Sequence, residues 1–192
     1  MAISQKLIDD FLQLRECLII VRRDYNTYNA LYCHENRDLL TAIAPTFFTE
    51  IGEILQRDWI LQVVKLMDPA DTNVRGEKRE NLTIPLIVRQ LEDDALMTDE
   101  IRENAKALLD YGEFLKAARH RILAHRDQQC HFEGIAMGTT TDAQLSEFIE
   151  NIQRFSDLVG IQIRVGPLDF SSSGCTGDVY DLLRCLRESR RA

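Results

Sequence analysis

The sequence predicts an all-α protein, an antiparallel helical bundle with at most a short β element after its motif-bearing helix. Three observations carry this. Apolar residues recur three and four apart through several long segments, capping residues stand in front of those segments, and the 192 residues hold only 4 Pro and 9 Gly with no low-complexity tract. The size, 22.1 kDa, suits one domain over 1–192, ample for a core that buries roughly 70% of the unfolded chain's surface. Within it the reading places a long N-terminal helix in 1–35, a helical core over 36–165 and a loop with a C-terminal helix over 166–192.

From Leu7 the apolar positions are Leu7, Phe11, Leu14, Leu18, Val21, Tyr25, Tyr28 and Tyr32, behind Ser4 as N-cap. That is a narrow helical seam, able to pack within one bundle or to join two subunits, and its tyrosines suggest a partly wet end. Asn36 opens a short helical stretch that Pro45 interrupts or restarts. Thr46–Met67 is apolar over a wide face and, beyond Trp59, nearly all round, which predicts a central helix. Asp68-Pro69 stops it, and residues 70–81 read as a charged loop, the segment best suited to move or to touch a partner.

Thr83 caps a short helix over Ile84–Leu91, with Pro85 in its first turn. Thr98 opens a longer one with the stripe Ile101, Ala105, Leu108, Tyr111, Leu115, Ala118, Ile122. After Asp127 comes a glycine-containing stretch that suits a brief hairpin or an irregular return. Thr141 and Gln144 make a capping box for the next helix, which Ile161–Val165 either extends or follows as a short strand. Gly166-Pro167 ends it, SSSGCTG is a loop, and Asp178–Ser189 is an amphipathic helix.

Composition excludes several classes. Twenty-three Lys and Arg against 31 Asp and Glu leave a net charge of −8, which argues against a broad basic surface for duplex DNA. Five cysteines at irregular spacing without a CxxC pair suit a reduced, cytoplasmic chain. The first residues carry charge and no apolar run of signal-peptide length, so no export is expected, and no apolar patch is long enough to span a membrane. Phosphate-loop, dinucleotide and nucleophile-elbow patterns are absent from the sequence.

The end of the Thr98 helix is different. Lys116, Arg119, His120, Arg121, His125 and Arg126 crowd a dozen positions with one carboxylate, Asp127. At about 100° per residue, Arg119 and His125 lie roughly 60° on either side of Ile122, and Arg126 about 40° from it. Polar groups beside a core-facing stripe need partners, and two guanidiniums with an imidazole make a ready anion pocket. The plain alternative is that these cations complement the helix dipole and pair with carboxylates elsewhere.

The run Arg119-His120-Arg121-Ile122-Leu123-Ala124-His125-Arg126-Asp127 resembles the signature of the HEPN superfamily: Arg, a polar residue, a gap and then His. The upstream FFTEIGEILQRDWILQVVKLMDP, a polar loop and NLTIPLIVRQL resemble its abortive-infection U-type branch, AbiU-like, over roughly residues 36–127. The resemblance implies a helical, metal-independent endoribonuclease of toxin or phage-defence type, without cofactor. It usually acts as a homodimer whose two motifs face each other. Arg119 and His125 are then the catalytic residues, His120 supports Arg119, and Lys116, Arg121 and Arg126 contact RNA phosphates. Single-stranded RNA or tRNA is the implied partner, alongside an antitoxin or regulatory protein. Asp127 occupies the place of the tyrosine found in one HEPN toxin subgroup, so that subgroup's regulation is not carried over.

Other features are weaker. His125, Asp127, Cys130 and His131 have ligand-type side chains but match no common zinc spacing, and Cys33-His34-Glu35 would have to approach them. The SSSGCTG loop suits an anion nest less well than a plain connection, and Arg184, Arg187, Arg190 and Arg191 form a basic tail. The rival functions are a catalytically inactive HEPN-like module that binds RNA or a protein, and a structural dimerisation domain built on the Leu7–Tyr32 seam.

Overall fold

Ser4 caps the first helix in the computed structural model, which describes residues 3–118, 141–171 and 175–190. Its hydroxyl accepts the Leu7 N–H at 3.3 Å, and α1 (Gln5–Tyr32) follows. The seam is buried from Leu7 to Val21, while Tyr25, Tyr28 and Tyr32 stay half-buried, as tyrosines at a wet end should. A single 3₁₀ turn, His34–Asn36, leads into α2 (Arg37–Ile43). Pro45 then restarts the chain as the first residue of α3 (Pro45–Leu66), where its missing N–H is not needed.

The expectation of a central α3 holds over Trp59–Leu66, where Lys65 alone is exposed, and needs correction for the first half of the helix. Val63, Val64 and Leu66 are buried, but Phe47 and Ile54 are 56% and 49% exposed. The helix packs on α1, α2 and α5 (Asp99–Ala118) along one side, so apolar residues on its other side have no cover within the described residues. The central rod is α1, which packs against α3, α4 (Ile84–Asp93), α6 (Asp142–Gln162) and α7 (Val179–Ser189).

The charged segment after α3 is also not a plain loop. It folds into β1 (Asp71–Val74) and β2 (Glu77–Glu80), antiparallel, with Asp71 opposite Glu80 and Val74 opposite Glu77. Arg75 and Gly76 turn it with φ of 54° and 87°, the left-handed pair that matches strand twist in a two-residue hairpin. Apolar periodicity misses such an element because its side chains pair by charge and stay exposed. Lys78 meets Asp71 at 3.0 Å, and Arg89 of α4 reaches Asp71 at 2.5 Å and Glu80 at 2.7 Å. Lys6 of α1 reaches Glu80 from the other side at 3.0 Å.

Thr83 caps α4 (Ile84–Asp93) by accepting the Leu86 N–H, and Thr98 does the same for Ile101 at the start of α5 (Asp99–Ala118). The Thr141–Gln144 capping box forms at the start of α6 (Asp142–Gln162). This helix runs antiparallel to α5: Tyr111 meets Phe148, Asn104 meets Asn151 and Glu100 meets Arg154. The Ile161–Val165 stretch continues the helix to Gln162 and then turns through Arg164 at φ 64°, so it is not a strand. Asp178 caps α7 (Val179–Ser189). Its Val179 and Leu183 join Leu31, Leu39, Leu40 and Phe48 in a second cluster, apart from the main core of α1 and α3–α6. The brief hairpin expected after Asp127 lies outside the described residues.

Candidate functional site

Tyr111 and Leu115 are buried on the last turns of α5, at 7% and 4% exposure, and the chain that carries the basic motif continues from there. Of the motif's candidate residues, Lys116 is described. It is half-buried, and its Nζ pairs with Glu113 Oε1 at 2.5 Å, so a phosphate would have to compete with a carboxylate already in place. Arg119, His120, Arg121, His125 and Arg126 lie outside the described residues, as do Asp127, Cys130 and His131.

The surroundings of the motif's root are built from aromatic packing. Phe148 of α6 stacks on Tyr111 with ring centroids 4.2 Å apart and receives Trp59 of α3 edge-on at 6.0 Å. The Trp59 indole N–H donates to the Val21 carbonyl at 3.1 Å, which fixes the ring against α1. Beside this cluster opens a groove of about 290 Å³, walled by Tyr25, Tyr28, Asn29, Gln56, Trp59 and Asp142. Gln56 donates its side-chain N–H to the Tyr28 hydroxyl, and Asn29 donates to the Tyr25 hydroxyl at 3.3 Å.

A second groove, about 400 Å³, shares Tyr28 and Gln56 with the first and extends to Arg37, Pro45 and Glu53. There the Tyr32 hydroxyl donates to the Phe48 carbonyl at 2.6 Å, and burial pushes its pKa up. Its ring lies over Gly52, where a Cβ would come within 3.0 Å of it, so the absence of a side chain lets α1 and α3 approach. Neither groove is legible in the sequence. The tyrosines stand at helical spacing on α1, but Gln56, and Trp59 of the first groove, lie on α3, and only packing brings them to the same walls.

Cys33 Sγ lies 3.5 Å from the Ala30 carbonyl and accepts from Asn36 Nδ2 at 3.2 Å, while His34 and Glu35 face solvent. Among the described residues no three His, Cys, Asp or Glu side chains gather as a metal site. In the loop before α7, Asp178 accepts the Cys175 N–H and Asp181 accepts the Gly177 N–H at 2.8 Å. Those amides are held by the protein's own carboxylates, which removes the anion-nest reading for them. The basic tail is partly tied down: Arg184 pairs with Asp181 at 2.8 Å, and Arg187 donates to Asn36 Oδ1 at 2.7 Å, whereas Arg190 is exposed and Arg191 lies outside the described residues. No helix among the described residues is long and apolar enough to cross a membrane.

Comparison with known proteins bears on the whole arrangement. No curated protein and no solved structure matches the chain. The family model HEPN AbiU2, described as AbiU2, matches residues 4–174, a span that includes α1 to α6, the hairpin and the motif between Arg119 and Asp127. The match covers most of the chain and agrees with the helical bundle, and the chain belongs to the AbiU2 family of HEPN proteins.

Proposed function

We propose that this protein is a metal-independent endoribonuclease of the toxin or phage-defence type, working in the cytoplasm as a homodimer. The observation that carries the reading is the family match across residues 4–174, which takes in Arg119 and His125 at the spacing of the HEPN signature. A His125 imidazole removes the proton from a ribose 2′-OH, and the 2′-oxygen attacks the adjacent phosphorus. The bond from phosphorus to the 5′-oxygen breaks, and a second His125 supplies the proton that oxygen needs. The products are a 2′,3′-cyclic phosphate and a 5′-OH. Arg119, charged at every working pH, offsets the charge that gathers on the phosphorane-like transition state. His120 holds Arg119, and Lys116, Arg121 and Arg126 contact neighbouring phosphates.

Each chain supplies one His125, so two proton transfers call for two subunits. The exposed Phe47 and Ile54, seven residues apart on one face of α3, and Phe114 on α5 at 53% exposure support a subunit contact. An antitoxin or regulatory protein would restrain such a nuclease. Purified protein incubated with single-stranded RNA and tRNA in EDTA tests the reading. Cleavage to cyclic-phosphate ends, lost in His125→Ala and Arg119→Ala while RNA binding persists, is the expected result. RNA binding without cleavage would make the protein an inactive HEPN-like module, and a dimer that retains no RNA would leave only a structural role.

A further inference from the structure

The groove beside the root of the motif is lined by flat rings and amides. Tyr25 and Tyr28 of α1 and Trp59 of α3 supply its aromatic wall, and Asn29 and Gln56 stand in the same lining. We propose that this groove binds one unpaired nucleobase of single-stranded RNA, against the Tyr25, Tyr28 and Trp59 rings and with its polar edge toward the two amides. The choice of RNA as ligand rests on the endoribonuclease reading.

The chemistry of the lining narrows the occupant. Among the described residues no Lys or Arg lines the groove, and Asp142 does, so this lining offers a phosphate no cation and a carboxylate to avoid. A neutral ring with hydrogen-bonding edges fits both the aromatic faces and the amides, the combination by which unpaired bases are held. A volume of about 290 Å³ accepts a ring system but not a helix or a duplex. The wall is set in advance, because the Trp59 indole N–H is already engaged with the Val21 carbonyl and Phe148 packs behind it. Gln56 and Asn29 each give one amide N–H to Tyr28 and Tyr25, and each amide has a second N–H and a carbonyl oxygen with which to meet a base's polar edge.

Position supports the same occupant. Tyr111 and Leu115 of α5 and Asp142 and Leu145 of α6 also line the groove, so it lies where the chain departs toward Arg119 and where it returns. A base seated there places its strand beside the helix ends that flank the segment of the proposed chemistry. Duplex RNA, with its bases paired and stacked, has none to offer.

Trp59 is the single tryptophan of the chain, so the tryptophan fluorescence comes from this wall of the groove. The His125→Ala protein, which should not cut RNA, is titrated with ten-nucleotide single-stranded RNA and with an abasic oligomer of the same length. Base-dependent quenching is expected, together with a Kd raised at least about fivefold in Tyr28→Ala. Asn29→Ala, at an exposed helix position, gives a second variant if Tyr28→Ala unfolds, and should weaken binding in the same sense. Equal quenching by the abasic oligomer, no quenching, or unchanged affinity in the folded variants overturns the proposal. Wild-type cleavage without base-dependent quenching removes the groove and keeps the nuclease. Base-dependent quenching in a protein that never cleaves keeps the groove and removes the nuclease.

Discussion

Gly160 and Gly166 meet backbone to backbone at the end of α6: the N–H groups of Val165 and Gly166 both donate to the Gly160 carbonyl, at 2.9 and 3.0 Å. A Cβ on Gly160 would overlap the Gly166 carbonyl oxygen. Main chain cannot yield as a side chain does, so Gly160→Ala should destabilise the protein by about 1–3 kcal/mol. Gly166→Ala meets open space but must hold φ at 77°, and should lose only about 1 kcal/mol. Urea unfolding of both variants, ranked against wild type, checks the order.

The hairpin should loosen in acid. Lys78 and then Arg89 hold the Asp71 carboxyl below its ordinary pKa, against the desolvation that opposes them. A carboxylate with a lowered folded value contributes fully above its unfolded pKa of about 3.9 and loses that contribution as pH falls through the folded value. Amide protection in Asp71–Glu80 should therefore drop below about pH 4, ahead of α1 and α5. Asp71→Asn should show the same loosening at neutral pH, as faster proteolysis between Val74 and Glu77. Protection that stays level in acid would show that Arg89 and Lys6 do not need Asp71 to hold the strands.

Asn104 is 5% exposed and donates to Asn151 Oδ1 at 2.9 Å, across the α5–α6 contact. Asn151→Ala leaves that buried amide without its acceptor and should destabilise by about 1–3 kcal/mol. Replacing both residues with Leu should cost less than the single change, because no orphaned polar group remains. A double-mutant cycle by thermal unfolding measures the difference.

The proposed two-histidine chemistry predicts a bell-shaped pH profile for activity. One imidazole must be neutral and the other protonated, so the rate should peak near the unperturbed histidine pKa of about 6.5. His125→Ala should lower kcat by about 10²–10⁴-fold with little change in RNA affinity. Cleavage assays from pH 5 to 9 on wild type and variant test both statements, and a profile rising without limit into alkali would point to hydroxide instead.

Phe148→Ala should separate packing from chemistry. The ring lies between Tyr111 and Trp59 at 2% exposure, and its loss should destabilise by about 3–5 kcal/mol while shifting Trp59 emission to the red. Unchanged emission would mean that the Val21 carbonyl alone sets the indole.

By itself the sequence determined the helices, because each has a local signal: Ser4, Thr83, Thr98 and the Thr141–Gln144 box open them, Pro45 and Gly166 punctuate them, and the apolar spacing names the buried face. The Arg119–Asp127 motif was legible for the same reason, being a contiguous run. Tertiary structure decided what local signals do not contain. The hairpin at Asp71–Glu80 depends on charges reaching it from α1 and α4, and no apolar alternation marks it. The exposure of Phe47 and Ile54 follows from which side of α3 finds neighbours. The aromatic groove exists because Tyr28 and Trp59, 31 positions apart in the chain, are brought to one wall by the packing of α3 against α1. Periodicity tells each helix which face to bury, and contact between helices decides what that face is buried against.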